Sequence, residues 1–220
     1  MKNKRLVDDS VIGLFEPSYY ALFDFETTGL HPPKDKPIQL AYILLNQNLQ
    51  ITNAKNFYFE VQEEVPEAAI KIHGLTKAKL IQLGAKPYSF YVHEIQHDFS
   101  TKYLLSIAHN AGFDIRFMRH FFLQQKAIPY WCTMKYYTNI IRLPGLYDDY
   151  KWPKVSETMQ FLKIDEEDAL KTCKELFQSS SIGYHDARFD IVCIYKMIQN
   201  DYNLRREIQS VSQKLIYGHK

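Results

Sequence analysis

Cysteine is scarce in this 220-residue chain: only Cys132, Cys173 and Cys193 occur. They are odd in number, far apart and set among apolar residues, which favours buried thiols over a disulfide or a zinc site. No apolar run approaches the ~20 residues that a membrane-spanning helix needs. Residues Met1 to Gly13 are charged and lack the apolar core of a signal peptide. A cytoplasmic protein with no membrane partner is therefore expected. Excess charge of one sign is also missing, since the formal net charge is +2. Any basic surface must be local. There is no internal repeat and no low-complexity segment. What remains is a chain with 46% hydrophobic and 15% aromatic residues, the composition of a soluble globular protein long enough to bury a full core.

The most informative stretch runs from Tyr20 to Gly29. Its apolar, aromatic residues closed by Thr27-Thr28-Gly29 read as a buried strand, with Asp24 and Glu26 near its C-terminal end. Side chains alternate across a strand, so the two acids share one face and Phe25 turns into the core on the other. Like charges ~4 Å apart repel by about 4 kcal/mol at an effective dielectric of 20, so the pair requires either a cation or a raised pKa. Acidic oxygens with no cysteine nearby suit hard ions such as Mg²⁺ or Mn²⁺. Asp165-Glu166-Glu167 repeats the Asp-x-Glu spacing in a polar run and reads as a solvated helix start.

After a proline-containing loop from Gly29 to Lys36, strands are expected over residues 38–45 and 56–61, joined by a hairpin-like Asn46-Gln47-Asn48 tract. From Pro66 the pattern becomes helical. Gly74 is placed to end one short helix and Thr76 to cap the next, with His73 at a helix end favoured by the dipole. Another helix fits Tyr88 to Phe99. A fourth strand, Tyr103 to Ala108, leads into His109-Asn110-Ala111-Gly112-Phe113-Asp114 and a helix carrying Phe113, Phe117 and Phe121 on one face. Asp114 then stands in the first turn of a helix following a strand, where α/β folds place sites, although a carboxylate there is more often a cap than a ligand. A short fifth strand over residues 128–133 and a helix to Ile141 follow. The connection through Arg142-Leu143-Pro144-Gly145 and Lys151-Trp152-Pro153-Lys154 is either a basic, aromatic surface for a nucleic-acid backbone or, more commonly, a loop packed by Trp152.

Helices are expected over 154–162 and 166–177, then a serine-rich loop, then an amphipathic helix from near His185. Five residues turn a helix by about 500°, so His185 and Asp190 would diverge by roughly 140° if both were helical. The histidine therefore belongs to the loop before the helix, from which it can swing over a site that Asp190 reaches. His93 to Asp98 and His109 to Asp114 show the same interval. Beyond Asn200, Leu204, Ile208, Val211 and Leu215 keep helical spacing, which suits a packed terminal helix or a partner-binding one.

The ordered set Phe23-Asp24-Phe25-Glu26-Thr27-Thr28-Gly29, Ile72-His73-Gly74-Leu75-Thr76, His109 to Asp114, and His185 with Asp190 resembles the DEDDh 3′-to-5′ exonucleases. This DnaQ-like group includes the proofreading ε subunit of bacterial polymerase III, within the ribonuclease H-like fold. The resemblance extends from Tyr20 to Ile198. It implies an α/β architecture with a central mixed five-stranded sheet, its first three strands antiparallel, flanked by helices. It also divides the chain into a lead-in at 1–18, an exonuclease domain at 19–200 and a helical tail at 201–220.

For chemistry, the resemblance implies that Asp24, Glu26, Asp114 and Asp190 hold two divalent ions, Mg²⁺ or Mn²⁺, with Asp24 bridging. His185 would be the general base on the attacking water, and Thr27 and His73 would line the pocket for the terminal nucleotide. Asp186 is a neighbouring acid able to compete as a ligand. The implied substrate is DNA, at single-stranded 3′ ends, in replication or repair, with a DNA polymerase as a partner in some members. RNA is the alternative substrate, since no motif here reports on the 2′-OH. A catalytically silent module that binds nucleic acid or a polymerase is the alternative class.

Overall fold

The computed structural model describes residues 19–100, 103–147 and 149–218, and the lead-in expected at 1–18 lies outside them. Strand β1 (Tyr20–Thr27) is paired on both sides, and this places it at the centre of a five-stranded sheet of order β3-β2-β1-β4-β5. Antiparallel β2 (Pro37–Leu45) and β3 (Ile51–Tyr58) lie to one side, and parallel β4 (Leu105–Ala108) and β5 (Tyr130–Cys132) to the other. This is the mixed sheet anticipated from the sequence, with its first three strands antiparallel.

Period-two alternation divides β1 between two cores. Ala21, Phe23 and Phe25 pack with residues of α3 (Tyr88–Phe99) and α4 (Ala111–Phe117). Tyr20 and Leu22 pack on the opposite face with α7 (Glu166–Leu176), α8 (Ala187–Asn200) and α9 (Tyr202–Tyr217). Asp24 and Glu26 continue the Tyr20 and Leu22 row, so they emerge under the N-terminal end of α8. Between these layers, α1 (Glu67–His73) ends at Gly74, whose φ of 69° is the left-handed conformation that glycine accepts without strain. Thr76 caps α2 (Lys77–Gln82) by accepting the Lys79 N–H. The remaining helices are α5 (Thr133–Ile141) and α6 (Val155–Phe161).

Three expectations change. β3 runs from Ile51 to Tyr58 rather than over 56–61, because the Asn46 side chain accepts the N–H groups of Asn48 and Gln50 and closes a tight turn with Leu49 at φ 62°. The polar start of β3 hid it from a hydrophobicity reading, as an outer strand carries little apolar demand. The helix after Asp114 gives way to a π-helical turn at Met118–Phe122, yet Phe113, Phe117 and Phe121 still stack in sequence, with centroids 5.1 and 6.1 Å apart. The 142–154 connection is not packed by Trp152, which is 63% exposed. Its anchor is half-buried His109, bonded through Nδ1 to the Thr133 hydroxyl and through Nε2 to the Pro153 carbonyl.

The terminal helix α9 buries Leu204 and Ile208 against α8, and the Tyr137 hydroxyl donates to Asp201 at its N-cap. Leu204→Ala and Ile208→Ala should each lower unfolding free energy by about 2–5 kcal/mol. Denaturant titration measures this, and a loss below about 0.5 kcal/mol would place α9 outside the cooperative unit.

Candidate active site

Four carboxylates meet where β1 leaves the sheet. Asp24 lies opposite Ala41 and Glu26 opposite Gln39 on β2, and the register shifts directly after Glu26. Asp190 reaches them from the first turn of α8. One oxygen from each of Asp24, Glu26 and Asp190 lies within 4.8 Å of the other two. Asp114 adjoins this trio from α4. β4 pairs with β1 only as far as Leu22, so the Phe25 N–H farther along is free of that ladder, and the Asp114 Oδ1 accepts it at 3.1 Å.

Electrostatics register the crowding. Burial pushes Asp24 well above the usual carboxylate range, and the charges of Asp114, Asp190, Glu26 and Asp186 add to the rise. Glu26 is raised in the same way by burial, then by Asp190, Asp186 and Asp114. Asp190 is pushed up to about 7 by burial and Asp186. Asp114 is pushed up to about 8 by burial, against the lowering effect of the Phe25 N–H. Such a group sheds its protons at neutral pH only if cations replace them. The donor set fits hard divalent ions: every candidate ligand is a carboxylate oxygen, and those of Asp24, Glu26 and Asp190 lie within 4.8 Å of one another.

Asp186, the possible competitor, is otherwise engaged. It caps α8 by accepting the Arg188 N–H, takes Arg188 Nε and Nη2 at 2.8 and 2.7 Å, and accepts from Gln39 Nε2 at 2.9 Å. Arg188 in turn lies over the Tyr58 ring. Sequence reasoning missed this clamp. Its only signal was that Gln39 pairs with Glu26 in the β1–β2 register.

His185 precedes the cap in a left-handed conformation, φ 59°, and is exposed. It lines a cavity of about 280 Å³ on the α8 side, together with His73, Tyr58, Gln39, Asp186 and Arg188. The Nδ1 of His73 accepts the Leu75 N–H, which puts its proton on Nε2, and burial lowers its pKa. Thr27 is not part of this lining. Its hydroxyl donates to the Gly29 carbonyl, while its backbone faces His73. Of the two other His-x4-Asp intervals, one ends in a structural acid, Asp98, which pairs with Lys55 and Tyr42; in the other, His109 anchors the loop described above while Asp114 joins the carboxylates. All three cysteines are buried free thiols.

A carboxyl group that holds its proton more tightly in the fold than in the unfolded chain destabilises the fold once the pH exceeds its unfolded value near 4. The effect grows until the pH passes the folded value. With Asp190 at about 7 and Asp114 at about 8, the metal-free protein should lose stability from about pH 4 to pH 8. Thermal melts in chelator at about pH 5 and pH 8 measure the loss, and Mg²⁺ or Mn²⁺ should reverse much of it at the higher pH. Asp24→Asn should raise the metal-free Tm at that pH and abolish the response to the ion. A flat pH profile with no ion response would mean that the carboxylates do not repel one another.

Residues 22–163, more than half of the chain, match the RNase T family model, described as exonuclease. The match ends before His185 and Asp190. The sequence is 29% identical over 118 residues to the PolC-type DNA polymerase III of Thermotoga maritima, covering 53% of this chain and 8% of that one. It is 30% identical over 115 residues to the DNA polymerase III subunit epsilon of Treponema pallidum, covering 51% of this chain and 50% of that one. The chain thus spans at most about half the length of these relatives. Among solved structures, E. coli exonuclease I in complex with a dT13 oligonucleotide superposes with a TM-score of 0.64 at 16% identity, covering 86% of this chain and 42% of that one. Exonuclease X in complex with 5′ overhanging duplex DNA superposes with a TM-score of 0.54 at 17% identity, covering 86% and 99%. No helix among the described residues is long and apolar enough to cross a membrane. By the extent of the family match, and with a sheet shared with these exonuclease structures, the chain belongs to the exonuclease family.

Proposed function

We propose that the protein is a DEDDh-type 3′-to-5′ exonuclease that removes nucleoside 5′-monophosphates from single-stranded DNA ends. The observation that carries this reading is the convergence of Asp24, Glu26 and Asp190, adjoined by Asp114, beside a cavity edged by His185. The four carboxylates would hold two Mg²⁺ or Mn²⁺ ions, and Asp24, whose pKa is raised by all three of the others, would be a ligand central to the set. When bound, the ions offset the carboxylate charge and the charge that develops on a phosphodiester during in-line displacement.

The chain's own residues do the rest. His185 takes the proton from the attacking water, since a loop histidine that is exposed can approach and withdraw as the strand moves. The cavity bounded by His73 and Tyr58 receives the terminal nucleoside, with the His73 ring as part of its wall; burial lowers the pKa of that ring, and its Nε2 is turned away from solvent. The Asp186, Arg188 and Gln39 clamp fixes the loop that carries His185 to the strand beside Glu26. The polymerase relatives and the oligonucleotide-bound neighbours support DNA as the substrate, and trimming of ends in replication or repair as the setting.

His185→Ala should reduce kcat by roughly 10²- to 10⁴-fold on a 3′-labelled single-stranded oligodeoxynucleotide while leaving KM and Mn²⁺ affinity near wild type. Asp24→Asn should abolish turnover. Parallel single-stranded DNA, duplex DNA and RNA substrates, resolved by product size, test the substrate assignment. Full kcat in His185→Ala would overturn the general-base role, and release of oligomers rather than monophosphates would overturn the exonuclease reading.

A further inference from the structure

A second cavity, of about 320 Å³, opens on the α4 side of the sheet and is lined by His31, Pro32, Arg116, Arg119, His120 and Gln125. Two arginines and two histidines face it, and its lining includes no acid. Neither arginine has a carboxylate within 4 Å among the described residues. Arg116 bonds backbone through Nε to the Gly112 carbonyl, with its guanidinium 6.0 Å from the Phe113 ring. Arg119 donates through Nη2 to the Gln125 carbonyl, and its buried Nε has no hydrogen-bond partner among the described residues. The acid of the neighbouring loop, Asp35, is turned into that loop, where it accepts the His31 N–H and packs so closely on Gly29 that a Cβ there would meet its carboxylate. Lys36, over the Phe121 ring next to His120, adds a further positive charge nearby.

Uncompensated guanidinium groups in a concave site are arranged for a doubly coordinating anion, phosphate above all. The position of the cavity narrows the choice. One wall is the loop that follows Glu26, and the other is the helix that carries Asp114, so both walls continue the segments that bring carboxylates to the active site. The His185 cavity lies across the sheet on the α8 side. A strand whose terminal nucleoside sat there and whose scissile phosphate lay at the carboxylates would be carried by its backbone toward Arg116 and Arg119.

We infer that the cavity formed by His31, Arg116, Arg119 and His120 binds a backbone phosphodiester of the cleaved strand, upstream of the scissile bond. The inference rests on the nuclease reading. It also explains how a chain with a net charge of +2 can hold a polyanion next to four carboxylates: the positive charge is concentrated where the strand passes.

The test compares Arg116→Ala, Arg119→Gln and Arg116→Lys on two substrates in Mn²⁺. One is a single-stranded oligodeoxynucleotide. The other is the 4-nitrophenyl ester of thymidine 5′-monophosphate, which has the scissile phosphodiester and one nucleoside but no upstream backbone. The ratio of oligonucleotide kcat/KM to ester kcat/KM should fall several-fold in Arg116→Ala and Arg119→Gln. The slope of log affinity against log salt should flatten by about 0.7 for each phosphate that is no longer neutralised, with Arg116→Lys restoring most of it. An unchanged ratio and slope, an effect confined to duplex DNA, or displacement of the oligonucleotide by inorganic phosphate at equal phosphate concentration would overturn the inference. If the wild-type protein cleaves neither substrate, the nuclease reading fails on its own. Oligonucleotide anisotropy then decides the cation site, where reduced affinity in Arg116→Ala upholds it and wild-type affinity overturns it.

Discussion

Repulsion among Asp24, Glu26, Asp114 and Asp190 is the constraint that the surrounding structure answers, because the fold gathers the four acids with no basic side chain between them among the described residues. Three devices hold the four acids. Asp24 and Glu26 are fixed by the pleat of a strand paired on both sides. Asp114 is held by a strand N–H that β4 leaves free. Asp190 is set by the phase of a helix whose start is pinned by Asp186. Scaffold contacts thus hold the acids together against their charge repulsion.

The nearest positive charge illustrates the same logic. Arg188 is two residues from Asp190, yet its Nε and Nη2 both go to Asp186. The guanidinium is therefore consumed in orienting the loop and is not left to neutralise the ligands. A cation that paired directly with Asp190 would lower its pKa. With Arg188 held on Asp186, the cluster stays anionic, while Arg116 and Arg119 have no carboxylate partner among the described residues.

Much of this was legible in the sequence, and the reasons are specific. Period-two alternation predicted that Asp24 and Glu26 share a face, and the turn of a helix placed His185 ahead of α8, since both arguments depend only on local geometry. Cap residues such as Gly74 and Thr76 were equally readable. What escaped depends on register or on solvent exposure. Gln39 meets Asp186 only because β2 and the start of α8 lie side by side in space, although the two residues are 147 positions apart in sequence. The bond from Asp114 to Phe25 needs the relative lengths of β1 and β4. The polar opening of β3 and the outward turn of Trp152 contradict averages about strands and tryptophans, and neither could be found from composition.

The sheet ends carry one last consequence. On one flank the outermost strand, β5, is three residues long, and on the other β3 carries Thr52, Asn53, Lys55 and Asn56 along its length. Neither border presents a long, greasy row of vacant amides on which a foreign chain might crystallise into fibrils. Concentrated stocks should accordingly resist edge-on stacking even with chelator present, when the unneutralised acids weaken the centre of the molecule first.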